Sequence, residues 1–340
     1  MSIMLAETRE APARVEAMLR QDAEAYAALA RDLAARPPRF AATVARGSSD
    51  HAATYLAMLT GIVGGIATAS IPPSLVTRYG ARLELGGALV TSLSQSGASP
   101  DIVATLAAAR EAGGTTVAIV NAEDSPLAST AGHVLPQRAG VERSVAATKS
   151  FICTLAVAAR LVAVWRQDRA LLDALQRLPE RLEAALACDW SAAVPRLVEA
   201  SSLYVVGRGP CLGVAQESAL KLKETSFLHA EALSAAEIRH GPRAVIGEGF
   251  PLLAYALADV GGGDTATFAA ELADAGAEVI VASPRKPSAG LHLPLPEPLH
   301  PLLDPIVAIQ AFYPMAASLA VARGQDPDSP RGLRKVTETI

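Results

Sequence analysis

The chain repeats itself at one constant offset. Arg46-Gly47, which follows a short apolar run at 41–45, has a counterpart in Arg208-Gly209 after the run at 203–206, and residues 90–93 correspond to 252–255 at the same displacement of 162 positions. The run at 115–120 finds its match around Val279. Within each copy, short apolar, β-branched runs alternate with longer Ala- and Leu-rich stretches, the pattern of parallel strands joined by crossover helices. The duplication therefore predicts an α/β chain of two tandem, doubly wound parallel sheets of Rossmann-like type, preceded by an N-terminal helix. The helix is read from apolar Val15, Leu19, Tyr26, Leu29 and Leu33 at helical spacing, running from Pro12 to about residue 35, where Pro37-Pro38 stops it. The expected divisions are an N-terminal helix at 1–38, a first sheet domain at 39–165, a helical connector at 166–194 made of two amphipathic runs on either side of Pro179, a second sheet domain at 195–330, and a tail at 331–340.

Composition narrows the class of partner. Hydrophobic residues make up 51% and charged residues 19%, which excludes disorder. Thirty basic against thirty-four acidic residues give a net charge of −4, without the basic excess that a nucleic-acid surface needs. The three cysteines, Cys153, Cys188 and Cys211, form neither a disulfide framework nor a zinc pattern, and no His/Asp/Glu spacing suggests a metal; a reducing cytoplasm is expected. No Asp, Glu, Lys or Arg occurs between Asp50 and Arg78, a length that could span a bilayer. Its Thr, Ser and Gly content and the pair Pro72-Pro73 instead predict a buried helix, a turn and a strand, so no membrane partner is expected.

The copies differ where a ligand would bind. In the first, the second of these runs ends in Ser94-Gln95-Ser96-Gly97-Ala98-Ser99 before a helix; the equivalent positions in the second are Ala256-Leu257-Ala258-Asp259-Val260-Gly261, with no hydroxyl and one carboxylate. A hydroxyl- and glycine-rich turn at a helix start offers N–H and O–H donors to an anion. The first run also ends in such a turn, Gly47-Ser48-Ser49. Strand ends of an open α/β sheet converge on one crevice, so the pair predicts a site for a small phosphate monoester in the first copy alone.

The motifs ARGSSDH at 45–51, LSQSG at 93–97 and AATKS at 146–150 resemble the sugar-isomerase (SIS) domain family. ESALKLKE at 217–224, HAE at 229–231, EIRHGP at 237–242 and LRKVT at 333–337 are similar to the isomerase half of glucosamine-6-phosphate synthase, and the likeness runs from about residue 39 to the C-terminus. It implies a sugar-phosphate substrate bound by Ser48, Ser49, Ser94, Gln95, Ser96 and Ser99, with Glu217 and Lys221 also among the substrate-binding residues and backbone contacts to the sugar from Val145 and Ala146; Ala147 stands where the synthases carry serine. It implies no cofactor and no metal. It also implies a homodimer whose active sites are shared, His240 reaching the site of the neighbouring subunit.

The same resemblance assigns the C1/C2 proton transfer to Glu224, ring opening to His240, and polarisation of the open-chain carbonyl, or imine formation, to Lys335. Glu217, Lys221 and Glu224 fall at i, i+4 and i+7, one face of a helix. Left to itself such a row reads as a solvated charged face, and Lys335 as part of a frayed tail. Histidine suits ring opening because it exchanges protons near neutral pH. Of the other histidines, His51 and His229 are expected on helices near the crevice. The synthases carry an N-terminal glutaminase whose nucleophile is the cysteine after the initiator methionine; here Ser2 follows Met1 and no cysteine precedes Cys153. The expected activity is therefore glucosamine-6-phosphate deamination. The alternatives are another aldose/ketose phosphate isomerase, a fructosamine-6-phosphate deglycase, or a non-catalytic sugar-phosphate sensor.

Overall fold

The computed structural model describes residues 2–335. Two helices come first, α1 (Ile3–Leu19) and α2 (Ala23–Ala35), where the sequence predicts one starting at Pro12. Pro12 lies inside α1 and has no N–H for the carbonyl of Thr8, a gap that elsewhere breaks a helix. The side-chain amide of Gln310 donates to that carbonyl instead, at 3.0 Å. The true break is at Asp22, held at φ 59°, and Arg160 closes the end of α1 by donating to the carbonyls of Met18 and Gln21 at 2.8 Å each. Val15, Leu19, Tyr26, Leu29 and Leu33 are all buried, so the apolar spacing was read correctly even though the boundaries were not.

The first copy runs β1 (Phe40–Val44), α3 (Ser48–Ile62), β2 (Thr68–Ser70), α4 (Ser74–Thr77), β3 (Ala88–Ser94), α5 (Pro100–Glu111), β4 (Thr115–Val120), α6 (Pro126–Thr130), β5 (His133–Pro136) and α7 (Lys149–Arg166). The strands form one parallel sheet in the order β2-β1-β3-β4-β5, with Ala42 opposite Val90 and Thr91 opposite Val117. Val44, Val90 and Val120 pack with Ile102 and Leu106 of α5 in its core. The uncharged stretch after Asp50 is divided among α3, β2 and α4.

After α8 (Arg169–Leu186) and α9 (Val194–Leu197), the second copy runs β6 (Ser202–Gly207), α10 (Leu212–Ser226), β7 (His229–Ser234), α11 (Ala235–Ile238), β8 (Pro251–Tyr255), α12 (Val260–Asp274), β9 (Glu278–Ser283), β10 (Leu291–Pro294) and α13 (Asp304–Ala322). Its parallel order, β7-β6-β8-β9-β10, is that of the first sheet. The connector α8 is one helix through Pro179, not two runs, with Leu171, Leu175, Leu178 and Leu182 buried along it. His229 opens a strand rather than lying on a helix. By length and apolar composition α13 could cross a membrane, but 78% of its most apolar window is buried inside the fold, where it packs on α10. A core helix is apolar all round for that reason.

Packing separates the described chain into two compact units, one of residues 2–12, 143–148 and 177–335, the other of 13–142 and 149–176. The short stretch 143–148 thus packs with the second copy although the chain places it in the first.

Candidate active site

In a sheet of this order the strand sequence reverses between β1 and β3, and the crevice at their carboxyl ends is where ligands bind in open α/β folds. Both hydroxyl turns lie there. Ser48 and Ser49 begin α3 after Gly47, whose φ of 55° sets the turn. Across the crevice, Ser94 Oγ accepts the Gly97 N–H at 3.0 Å and Ser96 Oγ accepts the Ala98 N–H at 3.4 Å. A hydroxyl that accepts through its oxygen keeps its own hydrogen to donate, which is the orientation an anion requires. Gly97 is held at φ 61°, and a Cβ there would come within 2.2 Å of Ser125 Oγ, so only glycine fits. Ser99 precedes α5 without capping it. The Gln95 carbonyl accepts from the Asn121 and Ala122 amides, and its side chain lines an open cleft of about 530 Å³. Elsewhere in that cleft the Asn121 amide and the Arg138 guanidinium are already bonded within the unit.

Arg46, not singled out as a site residue from the sequence, ties the two sides of the crevice together. Its Nε and Nη2 donate to Asp101 Oδ2 at 2.9 and 2.8 Å, joining the end of β1 to the first turn of α5. The second copy keeps the tie, Arg208 to Asp264 at 3.2 Å, without the hydroxyls. There Asp259 Oδ1 accepts the Gly262 N–H at 2.7 Å, so a carboxylate already occupies the helix start. The signal for Arg46 was present: it precedes a glycine in both copies.

Glu217, Lys221 and Glu224 line one face of α10, and that face is buried rather than solvated. Glu217 and Lys221 are 0% and 1% exposed; Glu224 is 22% exposed, the member that solvent or substrate can reach. Lys221 Nζ lies 3.4 Å from Glu217 Oε1 and donates to Glu224 Oε2. Burial alone would lower the Lys221 pKa, but the two carboxylates outweigh it and hold the pKa above its ordinary value. Desolvating three charges is costly, and such rows persist where function needs them or where breaking them costs more.

Lys335 does not hang free. Its Nζ donates to the Ser144 carbonyl at 2.7 Å, beside Val145 and Ala146. Lys335, Val145 and Ala146 thus lie in one unit with the α10 row, and the crevice residues lie in the other. Val336 and Thr337 of the terminal motif lie outside the described residues. His240 stands in the turn after α11, its N–H donated to the Glu237 carbonyl at 2.9 Å. Its imidazole is exposed and makes no hydrogen bond to any described residue, Glu224 included.

The SIS domain model matches residues 39–164 and 196–281. The isomerizing glutamine–fructose-6-phosphate aminotransferase of Zymomonas mobilis subsp. mobilis is 35% identical over 266 residues, which cover 73% of this chain and 44% of the relative. The chain thus spans less than half the length of that curated relative. A structure of a candidate phosphosugar isomerase from Silicibacter pomeroyi DSS-3 matches with a TM-score of 0.91 and 41% identity, covering 96% of this chain and all of that one. A glucosamine-6-phosphate deaminase from Thermotoga maritima matches with a TM-score of 0.76 and 20% identity over 99% of this chain and 100% of that one, a likeness of fold.

Proposed function

The chain belongs to the SIS domain family, and from that premise we propose that it is a glucosamine-6-phosphate deaminase, converting glucosamine 6-phosphate and water to fructose 6-phosphate and ammonia. The observation that carries the reading is the buried α10 row with Glu224 as its accessible member. The phosphate is taken by the hydroxyls of Ser48, Ser49, Ser94, Ser96 and Ser99 at the first sheet's switch point. His240 opens the pyranose, giving a proton to the ring oxygen as its bond to C1 breaks and taking one back from the C1 hydroxyl, which becomes the aldehyde. Glu224 then removes the proton from C2 while the aldehyde oxygen gains one from Lys335, leaving a C1–C2 enolamine. Returning the proton to C1 converts this to the C2 imine, and water adds at C2 as ammonia leaves. Lys221, cationic between two carboxylates, pairs with Glu217 in the interior and fixes Glu224. Run in this direction the chemistry needs only water as co-reactant.

The exposed imidazole of His240 supports a homodimer in which the histidine serves the partner's site. A second reading, aldose/ketose phosphate isomerisation, shares every step before imine hydrolysis and is favoured by the name of the 41% identical relative. Incubation with glucosamine 6-phosphate, with ammonia and fructose 6-phosphate both measured, separates them. Equimolar release supports deamination. Interconversion of aldose and ketose phosphates with no ammonia from the amino sugar would replace it by the second reading.

A further inference from the structure

We infer that Glu7 is a positioning residue for the turn at 143–148, holding the backbone that contacts the sugar and anchors Lys335; the inference rests on the roles proposed above for Val145, Ala146 and Lys335. Glu7 lies on α1 and is 4% exposed. A buried carboxylate is costly unless its oxygens are bonded, and here each takes a backbone amide: Oε1 accepts the Arg143 N–H at 2.5 Å and Oε2 the Ser144 N–H at 3.2 Å. Two adjacent N–H groups facing two oxygens is a pattern that glutamine, with one oxygen and one NH2, does not meet.

Ser144 is gripped from both sides, since its carbonyl accepts Lys335 Nζ. The next amide, Val145 N–H, donates to the Asp328 carbonyl at 3.2 Å, and the Asp328 carboxylate accepts the Ile3 and Met4 amides at 2.7 Å each, fixing the start of α1 one helical turn before Glu7. The bonds close a circuit of α1, turn and C-terminal segment. Residues 137–148 form no helix or strand, so nothing else regular sets the direction of these peptides. Because the proposed sugar contacts are backbone groups, no substitution within the turn tests them directly; Glu7 does.

The test is Glu7→Gln in the full chain, read three ways. Amide hydrogen exchange at 143 and 144, measured without any sugar, should accelerate about 10-fold or more, with Gly97 unchanged. The dissociation constant for glucosamine 6-phosphate should rise about 10-fold, while that for inorganic phosphate, a probe of the Ser94–Ser99 turn alone, stays within about 2-fold. A merely structural role would weaken both ligands together. If Glu7→Gln does not fold, Glu7→Asp, which keeps both oxygens on a stem one methylene shorter, should show the same separation to a smaller degree. Unchanged exchange at 143 and 144, or equal weakening of both ligands, overturns the inference. A wild-type protein that releases no ammonia sinks the proposed activity instead, and leaves the exchange measurement to decide Glu7.

Discussion

Replacing Lys221 by methionine removes the cation between two carboxylates while nearly conserving volume. The buried Glu217 would lose the Lys221 ammonium 3.4 Å away, whereas Glu224 can turn to solvent. Breaking a buried pair by deleting one partner typically costs about 3–5 kcal/mol. At about 2–4 °C per kcal/mol for a domain of this size, melting should fall by roughly 6 to 20 °C. The pH dependence sharpens the test. In the wild type the raised pKa of Lys221 means that its contribution is complete below the unfolded value of about 10.4 and is lost only as pH rises through the folded value, so it is flat from pH 5 to 9. The variant lacks that cation and its contribution at every pH. The gap between variant and wild type should therefore hold steady from pH 5 to 9 and narrow only above about pH 10.4. Denaturation followed through Trp190, buried in the same unit, reports it. Adding Glu217→Gln should recover much of the loss. A gap below about 1 kcal/mol would mean that the row is solvated in solution and the reasoning is wrong.

Three further outcomes are expected. Ser96→Ala and Ser94→Ala each delete a donor to an anion, worth about 1.5–3 kcal/mol, and should raise the KM for sugar phosphate about 10- to 100-fold with melting nearly unchanged; unaltered KM in both removes the cradle assignment. Glu224→Gln should retain sugar-phosphate binding and stop exchange of the C2 proton with solvent, followed by NMR in deuterated buffer, because an amide does not accept that proton; exchange at the wild-type rate excludes Glu224. Mixed Ser96→Ala and His240→Ala subunits should regain up to roughly a quarter of wild-type activity, since about half of randomly exchanged dimers carry one intact site; verified exchange without recovery places the histidine in its own chain's site.

The parts that the sequence revealed are those with a period or a repeat. The 162-residue offset located strands β1, β3 and β4 and their partners in the second copy, and it failed at the fifth strands, β5 beginning at 133 and β10 at 291, where intervening turns differ in length. The spacing of Glu217, Lys221 and Glu224 was legible, but its burial was not: the same i, i+4, i+7 pattern fits an outer or an inner face, and the packing of α10 against β6, β7 and α13 is not written in that pattern. Contacts made by side chains to distant backbone were invisible altogether. Asp328 meets Ile3 across 325 positions, Glu7 meets Arg143 across 136, and neither leaves a local pattern.

Comparison of the two copies separates what the fold needs from what a ligand needs. Both sheets keep the arginine–aspartate tie across the switch point, Arg46 with Asp101 and Arg208 with Asp264, so that pair holds strand end to helix start whether or not a ligand binds. The hydroxyls are kept only in the first copy; in the second, Ala256 and Leu257 are buried and Asp259 supplies its own negative charge to the helix start. A phosphate approaching that second turn would meet a carboxylate where the first offers hydroxyl hydrogens, and like charge at that range opposes binding. The difference between copies therefore points to one phosphate site per chain. It also predicts that the seryl substitutions will act on ligand affinity while the arginine–aspartate tie leaves the architecture standing.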